Sequence, residues 1–446
     1  MTSAAPNTPA LRAAPGRLPL LGHAPWLALR RVDYLQELRT HGDAVLIHLG
    51  RKPAYVLNSP DLIYGLLVQH ADKFSKGLLF DRARPYMGNG LLCSSGPFHK
   101  RQRRLLQPAF HRDAINRLTA RMAQAAARHV KQWRDEQTID VEHETRALAT
   151  AIIVKTLFAT DEVKPLAELV ERCLPRFVTG VGHRTLLPTA LTRIYTPSNR
   201  RFDAIAADLR RTTLYLVAQY RHASSDRDDL VSMLLAARDP ADHSMTDQEA
   251  VDEIITLLIA GIETSATTLA WTYHELGRHP QLRQRLHAEV DQTLAGRPPT
   301  TDDLPRLRFT AALLNEILRL HHPNWLLMRR AEDDVDLDSV RIPAGAEVIY
   351  SPTTLHRDPH LFPDPQRLDP DRWLPSPPPL PRCSFLPFSA GNRKCAGEAF
   401  AWNELRIVLA TVAAQWTLDP VPDKKVKTAI DGIAHPRHLL MTTRAR

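Results

Sequence analysis

The stretch Phe388-Ser-Ala-Gly391-Asn-Arg393-Lys-Cys395-Ala-Gly397 offers one sulfur from a glycine-flanked, cationic loop just ahead of a helix. Gly391 and Gly397 let the backbone approach a flat macrocycle, and Arg393 presents a guanidinium to a carboxylate. The helix that follows turns its positive end toward the sulfur. Such a loop suits Cys395 as an axial thiolate ligand to haem iron. The alternative, an ordinary buried thiol at a helix entry, accounts for the cysteine but not for the specified residues in register around it.

A second constellation sits in a long helical run. Thr246-Asp-Gln-Glu249 has the form of a capping box, and the helix it opens continues to His279 before Pro280 stops it. At about 1.5 Å per residue this is roughly 50 Å, enough to cross a core. Inside lies Ala260-Gly261-Ile-Glu263-Thr264-Ser265. A mid-helix glycine costs about 1 kcal/mol, and an acid beside a hydroxyl interrupts an otherwise apolar face. One reading is a kink with Thr264 bonded to a backbone carbonyl; the other is a reactive notch. Helical spacing puts Ala260 and Thr256 on the face seen from Thr264, with Ile259 nearer its edge.

Three further groupings are weak alone. Glu316-Ile-Leu-Arg319 places opposite charges one turn apart, His99-Lys-Arg-Gln-Arg103 places two cations one turn apart, and Asp369-Pro-Asp-Arg372-Trp373 adds an arginine within a proline-rich meander. In the order His99/Arg103, Ala260 to Thr264, Glu316/Arg319, Arg372 and Phe388 to Gly397, the chain resembles the cytochrome P-450 superfamily from about Pro19 to its C-terminus. Trp325-Leu-Leu-Met-Arg329, Gly96-Pro-Phe-His99 and the Phe388 loop are similar to soluble bacterial terpene hydroxylases.

That resemblance implies a mainly α fold with small β-sheets, the cytochrome P-450 fold, with a long central helix over a haem. It implies haem b (iron protoporphyrin IX) held by Cys395, with Phe388, Gly391 and Gly397 shaping the loop and Ala260 and Gly261 making room for dioxygen. His99, Arg103, Arg329 and Arg393 become the cationic partners of the haem propionates, while Lys100, Arg101 and Arg104 are expected on a solvated face. Thr264 and Glu263 would relay protons, and Glu316, Arg319 and Arg372 would form a buried structural cluster. Leu78, Phe80, Thr256, Ile259, Ala260, Asn324, Trp325, Leu326 and Ile433 would border a largely hydrocarbon substrate, a terpenoid of secondary metabolism. The implied reaction is insertion of one oxygen atom from O2 into a C–H bond, with electrons from a separate ferredoxin and ferredoxin reductase. A peroxide-driven peroxygenase and a non-catalytic haem sensor are the rivals.

Bulk properties bound these expectations. With 446 residues, 43% of them apolar, the chain can bury a sizeable core, and its net charge of +9 allows nucleic acid, an anionic surface or an acidic protein partner, of which the last is favoured. No nucleic-acid-binding motif accompanies the charge. Cys93, Cys173, Cys383 and Cys395 form neither a zinc pattern nor a disulfide framework, which points to a reduced cytoplasm. Pro15, Pro19 and Pro25 break any apolar run near the N-terminus, so no membrane anchor is expected, and the protein is expected to be a monomer. Residues 1–17 read as a flexible arm and 18–446 as a single haem-thiolate monooxygenase domain. Within it Ala44 to Leu49 and Ala54 to Leu57 read as a hairpin, Asp61 to about Val290 as helices broken at Lys76 to Leu92, Val178 to Ser198 and Arg238 to Thr246. Val335 to Val340 and Ala346 to Tyr350 read as strands, and Pro375 to Pro381 as part of a surface meander.

Overall fold

The computed structural model describes residues 11–159, 163–186, 192, 196–222, 229–374 and 379–446. The first ten residues of the expected arm, part of the expected loop between Val178 and Ser198, and Pro375 to Pro378 of the polyproline run lie outside these. The chain packs as two compact units, one from Met1–Asp81, Asn324–Arg367 and Pro378–Cys395, the other from Arg82–Pro323, Leu368–Pro377 and Ala396–Arg446.

The first unit is built on β-branched and apolar strands. Ala44–Leu49 and Lys52–Leu57 pair antiparallel as the expected hairpin, with Ala44 opposite Leu57 and Leu49 opposite Lys52. Lys52–Leu57 runs parallel to Glu347–Tyr350, which pairs antiparallel with Leu327–Ala331, and Phe74–Ser75 closes that edge. At the other edge Arg12–Ala13 lies parallel to Ala44–Leu49. The segment expected to be loose up to residue 17 is therefore tied to the sheet from Arg12. Tyr55, Leu57, Ile63, Leu66, Val348 and Tyr350 fill the core of this unit. The single strand expected over Val335 to Val340 is instead a hairpin of Val335–Leu337 and Val340–Ile342. Asp338 turns it at φ 48°, a left-handed conformation that Asp tolerates well.

The second unit is a helix array around Asp247–Arg278. The Thr246 hydroxyl accepts from the Glu249 N–H at 3.2 Å, and the Glu249 carboxylate accepts from the Thr246 N–H at 2.9 Å, so the capping box forms at the expected place. The helix runs unbroken to Arg278, without the kink that Gly261 and Thr264 allow. Helices Val141–Leu157, Pro197–His222, Arg308–Leu320 and Glu398–Ala413 pack around it. It is long and apolar enough to cross a bilayer, yet 78% of its most apolar window is buried inside the protein, as befits a core helix. Two differences from the expected pattern involve proline. Leu78–Met87 is helical despite Pro85, and Lys164–Leu186 continues through Pro175 past the loop start expected at Val178.

Candidate active site

In the first unit the cysteine loop is closed by its own backbone. The Cys395 N–H donates to the Phe388 carbonyl at 2.9 Å and the Lys394 N–H to that of Gly391 at 3.1 Å, which folds Gly391–Arg393 into one tight turn. Cys395 is left exposed, with Phe388 and Arg393 half-buried. Gly391 has φ +69°, and a Cβ there would lie 1.7 Å from the Leu67 carbonyl oxygen. Its missing side chain therefore admits the backbone of Gly65–Gln69, a reason different from the expected approach of a macrocycle. Gly397 has an ordinary φ of −86° and stands at the N-cap of Glu398–Ala413.

Arg329 is 4% exposed, donates to the Met328 carbonyl at 2.8 Å and lies 5.8 Å from the Tyr350 ring centre. Among the described residues it pairs with no acid, whereas adjacent Arg330 is held by Glu347 and Asp81. A buried guanidinium without an acid carries a desolvation cost that a carboxylate would offset. An exposed thiol in a closed loop and such a guanidinium form a donor set that fits haem, with its iron and propionates. Of the expected substrate wall, Leu78 donates its N–H to Glu347 at 3.0 Å, and Lys76 places its ammonium 4.5 Å from the centre of the Phe80 ring. Trp325 and Leu326 are buried and Asn324 is half-buried.

In the second unit Thr256, Ile259, Ala260, Gly261, Glu263 and Thr264 share the long helix. Ala260 is exposed beside buried Ile259 and half-buried Gly261, and Thr264 is half-buried. The Thr264 hydroxyl donates to the Ala260 carbonyl at 2.6 Å, the same back-bond that buried Thr268 and Thr272 make. Thr264 differs from those two in being accessible. A Cβ on Gly261 would meet Ile153 Cδ1 at 2.5 Å, so this glycine serves the packing of Val141–Leu157 against the long helix rather than the expected space for dioxygen.

Glu263 is buried and accepts from Arg146 Nε at 3.2 Å; Arg146 also donates to Glu142 at 3.1 Å. Glu263 and Glu142 hold the Arg146 guanidinium charged against its burial. On the following residue, the Ser265 hydroxyl donates at 2.5 Å to Glu404, whose carboxyl burial pushes up to about 8. Glu253 is likewise pushed up to about 8 by burial, while accepting from the Leu91 N–H at 2.9 Å. Arg146 escaped sequence reasoning because its partner is 117 positions away. Glu404 did carry a signal, an acid on the apolar side of a helix between Trp402 and Val408.

His99, buried, and Arg103, half-buried, lie one turn apart on Gly96–Leu106. Lys100 and Arg104 are exposed, but Arg101 is not the solvated residue expected: it binds Asp239 at 2.7 Å and Glu249 at 3.0 Å. Glu316 accepts from Arg319 at 2.7 and 2.8 Å, from Arg372 at 3.3 Å, from the Trp373 indole at 2.9 Å and from the Asp369 N–H at 3.0 Å. Both side chains of the Glu316–Arg319 pair are fully buried. Ile433 is half-buried in the turn between Lys427–Ile430 and Ala434–Arg437.

The sequence pattern of the cytochrome P-450 family is matched over residues 13–443. The chain is 39% identical over 425 residues to cyclooctat-9-en-7-ol 5-monooxygenase of Streptomyces melanosporofaciens, covering 94% of this chain and 92% of the relative. Cyclooctatin synthase of the same organism is 40% identical over 418 residues, with 93% and 91% covered. Pentalenene oxygenase of Streptomyces avermitilis is 38% identical over 436 residues, with 97% of both chains covered. Among solved structures, retinoic acid bound cyanobacterial CYP120A1 superposes with a TM-score of 0.87 over 98% of this chain and all of that one. At 22% identity that likeness shows the fold alone. On that match and those relatives, the chain belongs to the cytochrome P-450 family and is a monooxygenase that uses haem and dioxygen.

Proposed function

We propose that this monooxygenase inserts oxygen into a C–H bond of a cyclic terpenoid, with electrons from a separate ferredoxin and its reductase. The observation that carries the substrate class is the set of three relatives near 40% identity, whose names denote enzymes of cyclooctatin and pentalenene chemistry. A haem of the b type would be held by Cys395, with Arg329, Arg393, His99 and Arg103 on its propionates and Phe388, Gly391 and Gly397 fixing the loop. When bound it supplies the activation of dioxygen and the oxidation of carbon. The chain's own residues then bind, orient and move protons. Thr256, Ile259, Ala260, Leu78, Phe80, Asn324, Trp325, Leu326 and Ile433 would line an apolar pocket with few polar handles, which suits a hydrocarbon.

Glu263 is the proton supply and Thr264 the carrier. The accessible Thr264 hydroxyl can pass a proton from its own oxygen, and its back-bond to Ala260 holds it in one rotamer until a better acceptor arrives. Arg146 holds the Glu263 carboxylate in place at 3.2 Å while also donating to Glu142 at 3.1 Å, which ties the position of the proton supply to Glu142. Net positive charge and four cysteines outside any disulfide support an acidic ferredoxin as donor and a reducing cytoplasm as location, for a protein acting as a monomer.

Purified holoenzyme with a bacterial ferredoxin and reductase is screened with cyclic terpenes, pentalenene included, by optical difference spectra and product analysis. Displacement of iron-bound water followed by hydroxylated product is expected. Thr264→Ala should keep haem and terpene binding but divert most electrons to hydrogen peroxide. Undiminished product per electron in that variant contradicts the carrier role; equal turnover with peroxide alone in the native protein would instead indicate a peroxygenase.

A further inference from the structure

Beyond Glu263 and Arg146 the charges continue without a break toward the C-terminal hairpin. Glu142 Oε1, which accepts from Arg146, lies 2.9 Å from His435 Nδ1; the other ring nitrogen lies 3.7 Å from Asp431, which also pairs with Arg437 at 2.6 Å. The Glu142–His435 contact is close enough for an ion pair when the ring is protonated, although the ring N–H is not aligned for a straight hydrogen bond. His435 is buried, and the Ala434 N–H beside it donates to the Pro323 carbonyl at 2.9 Å, which fixes the strand. The adjoining turn packs tightly: a Cβ on Gly182 would come within 3.0 Å of Gly432. Nothing about haem binding or substrate contact requires a buried histidine at the far end of this chain of charges. Its cost must therefore be offset by what it does to Glu142.

We propose that His435 is a positioning residue for the proton supply: by pairing with Glu142 it sets how Arg146 is shared between Glu142 and Glu263. The charged and titratable groups facing it are Glu142 and Arg146 on Val141–Leu157, Asp431 and Arg437 on its own hairpin, and, through Arg146, Glu263 on the long helix. With His435 protonated, Glu142 has two cations and Arg146 stays on Glu263. Once His435 is neutral, Glu142 retains only Arg146, which is drawn away from Glu263, and that carboxylate is released to serve Thr264. Burial opposes the charge on His435, but Glu142 and Asp431 outweigh it and raise its titration above the ordinary histidine range. The inference rests on the reading of Glu263 as proton supply.

Linkage provides the test, because coupling between two sites must be reciprocal. The full-length holoenzyme, labelled in histidine and held in the diamagnetic ferrous carbonyl form, is titrated by NMR, with His435→Gln assigning the resonance. The native midpoint is expected above that of free histidine. Glu142→Gln should lower it by a large step, since Asp431 alone then opposes burial and the Arg146 charge, and Glu263→Gln should lower it by a smaller resolvable step. A midpoint unmoved by Glu263→Gln refutes the linkage, while the role of Glu263 still stands or falls on its own turnover. The second readout is the fraction of electrons recovered as peroxide by ferredoxin-supported holoenzyme without substrate. It should fall about twofold as pH rises through the His435 midpoint, and His435→Gln should stay low throughout. The same pH step in His435→Gln overturns the proposal; a flat turnover response to Glu263→Gln with the NMR linkage intact overturns the proton-supply reading instead.

Discussion

Arg329 and Arg330 are neighbours in sequence with opposite surroundings: one is buried with no acid paired to it among the described residues, the other is shared by Asp81 and Glu347. No local rule separates them, and only their position after the Glu316–Arg319 helix singled out Arg329. Residues whose meaning lies in short spacing were legible in this way. Cys395 within its loop, Thr246 with Glu249, and Glu316 with Arg319 each involve partners within a turn or two of chain. Arg146, Glu142 and His435 were not legible, because the contacts of Arg146 with Glu263 and of Glu142 with His435 join segments more than a hundred residues apart and each residue alone looks like a surface charge. The buried acids Glu253 and Glu404 give a prediction at this scale. Both are pushed up to about 8 by burial, so the native state keeps protons that the unfolded chain releases above about pH 4.3. Stability should therefore fall as pH rises from that value toward 8. Glu253→Gln and Glu404→Gln should flatten the fall, each being more stable than the parent at pH 8 in thermal unfolding of the holoenzyme. Melting curves that keep the parental pH slope would contradict this.

Elements were legible where periodicity was long and uninterrupted. The core helix, bounded by a capping box and Pro280, was read to within a residue of Asp247–Arg278, because its apolar pattern and both stop signals agree. Short strands were harder: Leu327–Ala331 has two arginines among its five residues, and Val335 to Ile342 hides a two-residue turn at Asp338. The glycine of the cysteine loop and the glycine inside the long helix also separate once their surroundings are known. Gly391 is fixed by positive φ and a backbone oxygen that cannot retreat, whereas Gly261 faces only the flexible end of Ile153. Gly391→Ala should therefore abolish haem retention on purification. Gly261→Ala should keep it, with Ile153 shifting and a helix-propensity gain of up to about 1 kcal/mol offsetting the crowding. Haem content per chain is the measurement, and the reverse ranking would show that the loop has been misassigned.

At the scale of the molecule, family membership was written in the order of motifs and is matched over residues 13–443. The substrate was not written there. Its expected contacts are apolar side chains from scattered segments, and apolar side chains at such spacing are also what any core requires. Composition gave only direction: a charge of +9 favours an acidic electron donor without locating its footprint. The central claim is narrower than substrate or partner, namely that the sulfur of Cys395 is the axial ligand of the iron. Carbon monoxide added to the dithionite-reduced holoenzyme tests it most directly. The native protein should give the red-shifted Soret band of a thiolate-ligated haem, and Cys395→Ser should lose that band together with all oxygenation. A native spectrum of the imidazole-ligated type, or a thiolate band that survives in Cys395→Ser, would contradict the account.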